Sequence, residues 1–214
     1  MNLPTLYDYW RSSSAYRVRI ALNLKNLDYR SVSVDLLAGE QKGTAHLVRN
    51  PQGLVPAIEI DGRPMAQSLA IIEYLEEVHP DPPLLPSTPS ERQRVRALAH
   101  AIAMEIHPVC NLGVARYGAS LIGGEDGMKR WMQHFMAPGL AAFERLLDDP
   151  RTGRYCHGDT VTIADLCLVP QIYNAQRWEV PLDGLPRLRA ITAALEALPP
   201  FQAAHPNQVG PPTT

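Results

Sequence analysis

Cysteine is scarce in this 214-residue chain: Cys110, Cys156 and Cys167 are the only three, and no two have a paired spacing. A disulfide framework or a thiolate zinc site is therefore not expected, and the usage fits a reducing compartment. An excess of one charge is missing too. Twenty Lys and Arg stand against 22 Asp and Glu, a net of −2. That balance disfavours a nucleic-acid surface, which needs surplus base to neutralise phosphates. No apolar run approaches the ~20 residues that span a bilayer. The stretch from Met1 to Arg11 lacks a basic start followed by an apolar core, so no signal peptide is read. Seven histidines occur without a His-Glu-x-x-His pair, and His100, Glu105 and His107 share a helix without forming a metal-binding face, so no metal is expected. With 45% hydrophobic and 20% charged residues, the expectation is a globular cytoplasmic protein without nucleic-acid or membrane partners.

What is present divides in two. Thr5–Tyr9 is β-prone, Ser12–Leu24 reads as a helix, and Tyr29–Val34 alternates as a strand, making one βαβ unit. A weakly helical stretch follows from Gly39 to Arg49. Ala57–Ile60 and Arg63–Met65 flank Asp61-Gly62, a strong hairpin signal, and Ser68 opens a helix that closes before His79-Pro80. Prolines at 80, 82, 83, 86 and 89 then stiffen a junction. Ser90 with Gln93 forms a capping-box pattern, and from there the periodicity is almost wholly helical. Val95, Leu98, Ala99, Ile102 and Ile106 trace one stripe, and Trp131 to Leu147 another, bent near Pro138-Gly139. Gly118, Gly123, Gly124 and Gly127 are read as the connection between these two. Thr162 with Asp165 caps Ile163–Gln176, Leu188 to Leu198 is read as the last helix, and the tail from His205 is expected to fray. The expected organisation is a mixed α/β domain at 1–82, a Pro-rich linker at 83–89 and an all-helical domain at 90–214.

Four local features carry candidate chemistry. Arg11-Ser12-Ser13-Ser14 falls where the first strand meets the first helix. Unpaired N–H groups and about half a positive charge at a helix N-terminus stabilise an anion such as a thiolate; serine there is also an ordinary cap. Asn50-Pro51 and Val55-Pro56 precede the third strand, and a cis Val55-Pro56 bond would turn the Val55 backbone edge toward a ligand. Gln67-Ser68 opens another helix, either as a cap or as a carboxylate site. Arg11 offers a planar, permanently charged fork for an anionic ligand, or a solvated surface charge. Cys110 and Cys167 read as inert packing thiols, Asp165 as a cap, and Arg92, Arg94 and Arg96 as a solvated helix face at a possible dimer contact.

Three stretches tie these features to a family. Ser12 to Leu22, Asn50-Pro51 with Val55-Pro56, and Gln67 to Glu77 resemble the zeta class of glutathione transferases. The similarity continues through His107-Pro108 to Asn111, and through Gly158-Asp159 into Ala164 to Gln171. The resemblance implies a thioredoxin-like domain followed by an all-α domain, a homodimer, and glutathione as cofactor. It makes Ser12 the hydrogen-bond partner of the glutathione sulfur, and Ser13, Ser14, Ala15, Tyr16 and Arg17 the lining of the same pocket. Gln41 and Val55 would contact the tripeptide, Gln67 and Ser68 would hold its γ-glutamyl carboxylate, and His107, Asn111, Leu112 and Gly113 would add contacts from the helical half. Where the family motif reads Ser-Ser-Cys, this chain has Ser14, which leaves glutathione as the only nucleophile and excludes a Cys-x-x-Cys dithiol.

The activity so implied is cis–trans isomerisation of maleylacetoacetate to fumarylacetoacetate in tyrosine and phenylalanine breakdown. Ser12, Ser14 and Arg11 would be catalytic, with Arg11 and Arg177 receiving the substrate's carboxylates. For Arg177, pairing with its own helix C-terminus is the competing role. Alternatives are maleylpyruvate as substrate, a generalist transferase acting on α-halo acids, or a glutathione-binding protein without turnover.

Overall fold

The computed structural model describes residues 3–211. The chain forms two compact units, one holding the chain up to Pro83 together with the segment from Leu198 onward, the other Leu84–Ala197.

The first unit is built on a four-stranded sheet of order β2-β1-β3-β4, with β1 at Thr5–Asp8, β2 at Arg30–Ser33, β3 at Ala57–Ile60 and β4 at Arg63–Ala66. β1 pairs parallel to β2 and antiparallel to β3. All four β1 residues are buried, as a central strand covered on both faces should be. Asp61 (φ +53°) and Gly62 (φ +73°) join β3 to β4, with Ile60 opposite Arg63. Two consecutive positive φ values give the turn whose twist matches its strands. Helix α1 (Ser13–Leu24) packs against α3 (Ser68–Val78), while the short α2 (Thr44–Leu47) precedes the loop to β3. Leu6, Ile20, Leu22, Ile58, Ile71, Ile72 and Leu75 form the buried interior.

The second unit is helical: α4 (Pro89–His100), a π-helical segment at Ala101–Ile106, α5 (Leu112–Ile122), α6 (Gly127–Leu146), α7 (Ile163–Arg177) and α8 (Pro186–Glu196). Twelve of the fifteen α7 residues are buried, the mark of a helix surrounded by others. Asp165 closes a capping box with Thr162 and also accepts the Cys156 N–H at 2.9 Å. Burial raises its pKa while these donors oppose the rise, so this carboxylate is committed to capping.

Four readings need correction. The cap of helix α4 stands two residues before Ser90: Thr88 is the cap, with Pro89 as the first helical residue, and the Thr88 Oγ1 donates to Glu91 Oε2 at 2.6 Å while accepting the Glu91 N–H. Pro89 is preset for a first helical turn and belongs to α4, not to the linker. Gly118 lies inside α5 rather than in a connection; a Cβ there would stand 2.3 Å from the Trp131 ring. Arg94 is buried instead of solvated, and donates to Cys156 O at 2.9 Å, His157 Nδ1 at 3.0 Å and Thr152 Oγ1 at 2.7 Å. Two residues along a helix are ~200° apart, so Arg94 faces opposite to Arg92 and Arg96.

The last correction concerns the C-terminal end. Beyond Leu198 the chain does not continue the helical unit. It forms α9 (Pro199–Ala204) and α10 (Pro206–Val209) in the first unit, with α9 against α1. Phe201 is 1% exposed and Pro206 is buried, and His205 Nδ1 accepts the Asn207 N–H at 3.1 Å. The tail expected to fray is helical here as far as Val209, and its final residues 212–214 lie outside the described residues.

Candidate active site

The β1–α1 connection carries the first candidates. The Ser12 N–H donates to Tyr9 O at 2.7 Å. Ser12 is extended (φ −68°, ψ 119°) and caps α1, its Oγ accepting the Ala15 N–H at 3.2 Å. A hydroxyl that accepts through its lone pair keeps its hydrogen to donate. No acidic residue stands in the first turn of α1, so no carboxylate there offsets the partial positive charge of the helix end. Ser13, Ala15, Tyr16 and Arg17 are buried and Ser14 is half-buried. Arg11 is exposed and lays its guanidinium over the Trp10 ring, 4.0 Å from the centroid.

The loop before β3 is fastened from within. Asn50, 2% exposed, donates through Nδ2 to Leu54 O at 2.8 Å and accepts the Gln52 N–H at 3.1 Å. His46 Nε2 lies 2.9 Å from the same carbonyl; a carbonyl only accepts, so this nitrogen carries the hydrogen. The Val55–Pro56 peptide is cis, and Val55 packs with Tyr7, Val34 and Ala57. Gly53 has φ +61°, and a Cβ there would stand 2.9 Å from the Gln41 carbonyl, which brings Gln41 against this loop. The Gln41 side-chain Oε1 is buried without a hydrogen-bond partner.

Gln67, immediately before α3, has φ +71° and ψ 108°, a backbone state that costs a residue with a side chain of order 1–3 kcal/mol and that clusters at ligand sites. Its Nε2 donates to Gln52 Oε1 at 2.7 Å. Ser68 is buried, and Arg17 Nη1 donates to its Oγ at 3.4 Å, so one bond joins the second turn of α1 to the start of α3. Ser12–Arg17, Gln41, Val55, Gln67 and Ser68 thus belong to a single unit. Gln52 and His46 were not foreseen, because their roles rest on hydrogen bonds that leave no motif.

The remaining candidates belong to the helical unit. His107 follows the π segment, its N–H reaching Ile102 O at 2.9 Å. Asn111 caps α5, its Oδ1 accepting the Gly113 N–H at 3.1 Å, and Leu112 opens the helix. Arg177 ends α7 with its guanidinium 6.0 Å from the Tyr173 ring centroid. Two of the thiols are poor nucleophiles: burial pushes Cys110 up to about 12 and raises Cys156 as well. Among the described residues, no three His, Cys, Asp or Glu side chains gather to hold a metal, and no helix is long and apolar enough to cross a membrane.

Comparison with known proteins identifies this arrangement. Residues 4–77 match the family "Glutathione S-transferase, N-terminal domain", and residues 125–194 match "Glutathione S-transferase, C-terminal domain". The chain belongs to the glutathione S-transferase family. Within that family it is 59% identical over 211 residues to a maleylacetoacetate isomerase of Rhizobium meliloti strain 1021, covering 98% of this chain and 99% of that protein. A solved zeta-class glutathione transferase, the holo structure of a bacterial maleyl pyruvate isomerase, superposes with a TM-score of 0.92 at 42% identity, covering 95% of this chain and 97% of that one. A maleylacetoacetate isomerase of Methylobacterium extorquens AM1, crystallised with malonate and glutathione, gives 0.93 at 38% identity over 98% of this transferase and all of that chain.

Proposed function

We propose that this glutathione transferase is a glutathione-dependent cis–trans isomerase whose substrate is maleylacetoacetate. The observation that carries the reading is the pair of helix N-termini in one unit, α1 capped by Ser12 and α3 entered through the strained Gln67, joined by the Arg17–Ser68 bond. The strained backbone and the orphaned Gln41 Oε1 both suit a polar peptide ligand. Gln67 and Ser68 would hold its γ-glutamyl end, Val55 its backbone, and Ser12 with Ser13–Arg17 its sulfur end.

Bound glutathione supplies the sulfur nucleophile that adds to the cis double bond and leaves after the bond has rotated. The chain's own part is electrostatic. Ser12 donates its hydroxyl hydrogen to the sulfur, and the N–H groups of the first α1 turn favour its anion. A free thiol ionises near pH 8.5, and each unit of lowering corresponds to about 1.36 kcal/mol of anion preference. Ser14, in place of cysteine, keeps this turn polar without adding a second thiol. Arg11 would orient a substrate carboxylate through its fixed charge.

The 59% identical relative named for maleylacetoacetate favours that substrate; the structural neighbour named for maleyl pyruvate makes that acid the second reading. Rates on the two acids, measured side by side, decide between them, and faster turnover of maleylpyruvate overturns the choice. Conjugation of α-halo acids would consume thiol in step with product, whereas isomerisation leaves the thiol titre constant. A cytoplasmic homodimer serving tyrosine breakdown completes the proposal. Three cysteines, all buried and none in a disulfide, agree with a reducing compartment, and light scattering of the purified protein tests the dimer.

A further inference from the structure

Arg19 occupies an unusual position for a charged residue. It is 1% exposed at the middle of α1, and its guanidinium is shared among three segments. Nη1 pairs with Asp8 Oδ2 at 2.5 Å, at the end of β1. Nη2 donates to the carbonyl of Trp10 at 3.1 Å, in the turn that leads to Arg11 and Ser12. Nε donates to the carbonyl of Ala204 at 3.0 Å, in the C-terminal segment. Only arginine presents donors in a fixed planar fork able to serve three directions at once.

The C-terminal segment is itself held on α1. Asn23 Nδ2 donates to Pro200 O at 3.0 Å, Tyr16 Oη to Phe201 O at 3.5 Å, and the His205 ring meets the Tyr16 ring edge-on at 6.0 Å. Phe201 is buried to 1% exposure. The docked segment therefore fixes where the Ala204 carbonyl stands, and Arg19 relays that position to the Trp10 carbonyl. Holding this carbonyl fixes the peptide plane that enters Arg11, and with it the approach of Ser12 to the mouth of α1.

We propose that Arg19 is a positioning residue for Ser12, through which the C-terminal segment sets the anion-stabilising geometry of the first helix. The inference rests on the role given to Ser12 above. It makes the segment from Leu198 part of the sulfur site without any contact to the ligand.

The test uses the full-length chain and reads the ionisation of bound glutathione from thiolate absorbance against pH, with glutathione affinity by calorimetry. Arg19→Lys keeps a cation opposite Asp8 but loses the fork. It should raise the ionisation pH by roughly one unit, in the direction of Ser12→Ala. Asp8→Asn keeps both carbonyl bonds and should leave the ionisation pH near the parent value. Phe201→Leu, which loosens the C-terminal seat without touching Arg19, should raise it by less. An unchanged ionisation pH in Arg19→Lys overturns the inference, as does an equal rise in Asp8→Asn. Should Arg19→Lys fail to fold, Phe201→Leu decides alone: a rise supports the relay and no change overturns it. If Ser12→Ala shifts the ionisation and Arg19→Lys does not, only this inference falls. If the parent binds no glutathione, the functional reading falls first.

Discussion

Ser12 does two things with one oxygen: it accepts the Ala15 N–H at 3.2 Å and keeps a hydrogen to donate. Replacing it with alanine removes both. Ser12→Ala should lose about 1 kcal/mol of stability as a cap, measured by urea unfolding. It should also lower kcat/KM about 10- to 100-fold, because a hydrogen bond to a charged group contributes about 1.5–3 kcal/mol. A variant as active as the parent at neutral pH contradicts the role given to Ser12. Gln52 offers a second test at this scale. Its Oε1 holds the Gln67 amide at 2.7 Å, so Gln52→Ala should raise the KM for glutathione several-fold with kcat little changed. An unaltered KM would show that Gln67 does not need this support.

Secondary elements show what the sequence disclosed. Asp61-Gly62 marked its hairpin because a tight turn with two positive φ values demands such residues. Ser12 and Thr162-Asp165 marked helix starts because capping is local chemistry, whereas the Gln67 side chain makes no cap bond at the start of α3. Gly118 misled because glycine inside a helix looks like a break until its neighbour is known. Its Cα hydrogen faces the Trp131 ring, and Gly139 likewise makes room for Ile106, with 2.6 Å between a built Cβ and Cγ1. Gly118→Ala should therefore destabilise by about 1–3 kcal/mol through overpacking. Gly113→Ala, whose Cβ would find nothing closer than 3.8 Å, should hold stability or gain up to about 1 kcal/mol. Thermal unfolding of the two variants checks the contrast, and equal melting temperatures would contradict it. Arg94, Arg19 and the C-terminal helices were illegible for a related reason: their roles depend on partners 58–63 or 185 residues away.

Across the whole molecule, two histidines tie stability to pH. Burial and then the Arg94 guanidinium hold His157 below its ordinary pKa; burial and then Arg19 do the same to His205. The unfolded state binds these protons more readily, so their contribution is complete above about pH 6.5 and is lost as pH falls through the depressed folded values. The urea midpoint should drop between about pH 7.5 and pH 5.5, and His157→Gln should reduce that drop. An identical drop in the variant would remove His157 from the explanation.

The claim on which the account depends is that glutathione works as a reusable cofactor held by the α1 and α3 N-termini. Turnover of maleylacetoacetate with glutathione far below substrate tests it most directly, with free thiol titrated before and after. The account predicts many product molecules per glutathione and a constant thiol titre. A rate unaffected by omitting glutathione, or thiol lost one-for-one with substrate, would contradict it.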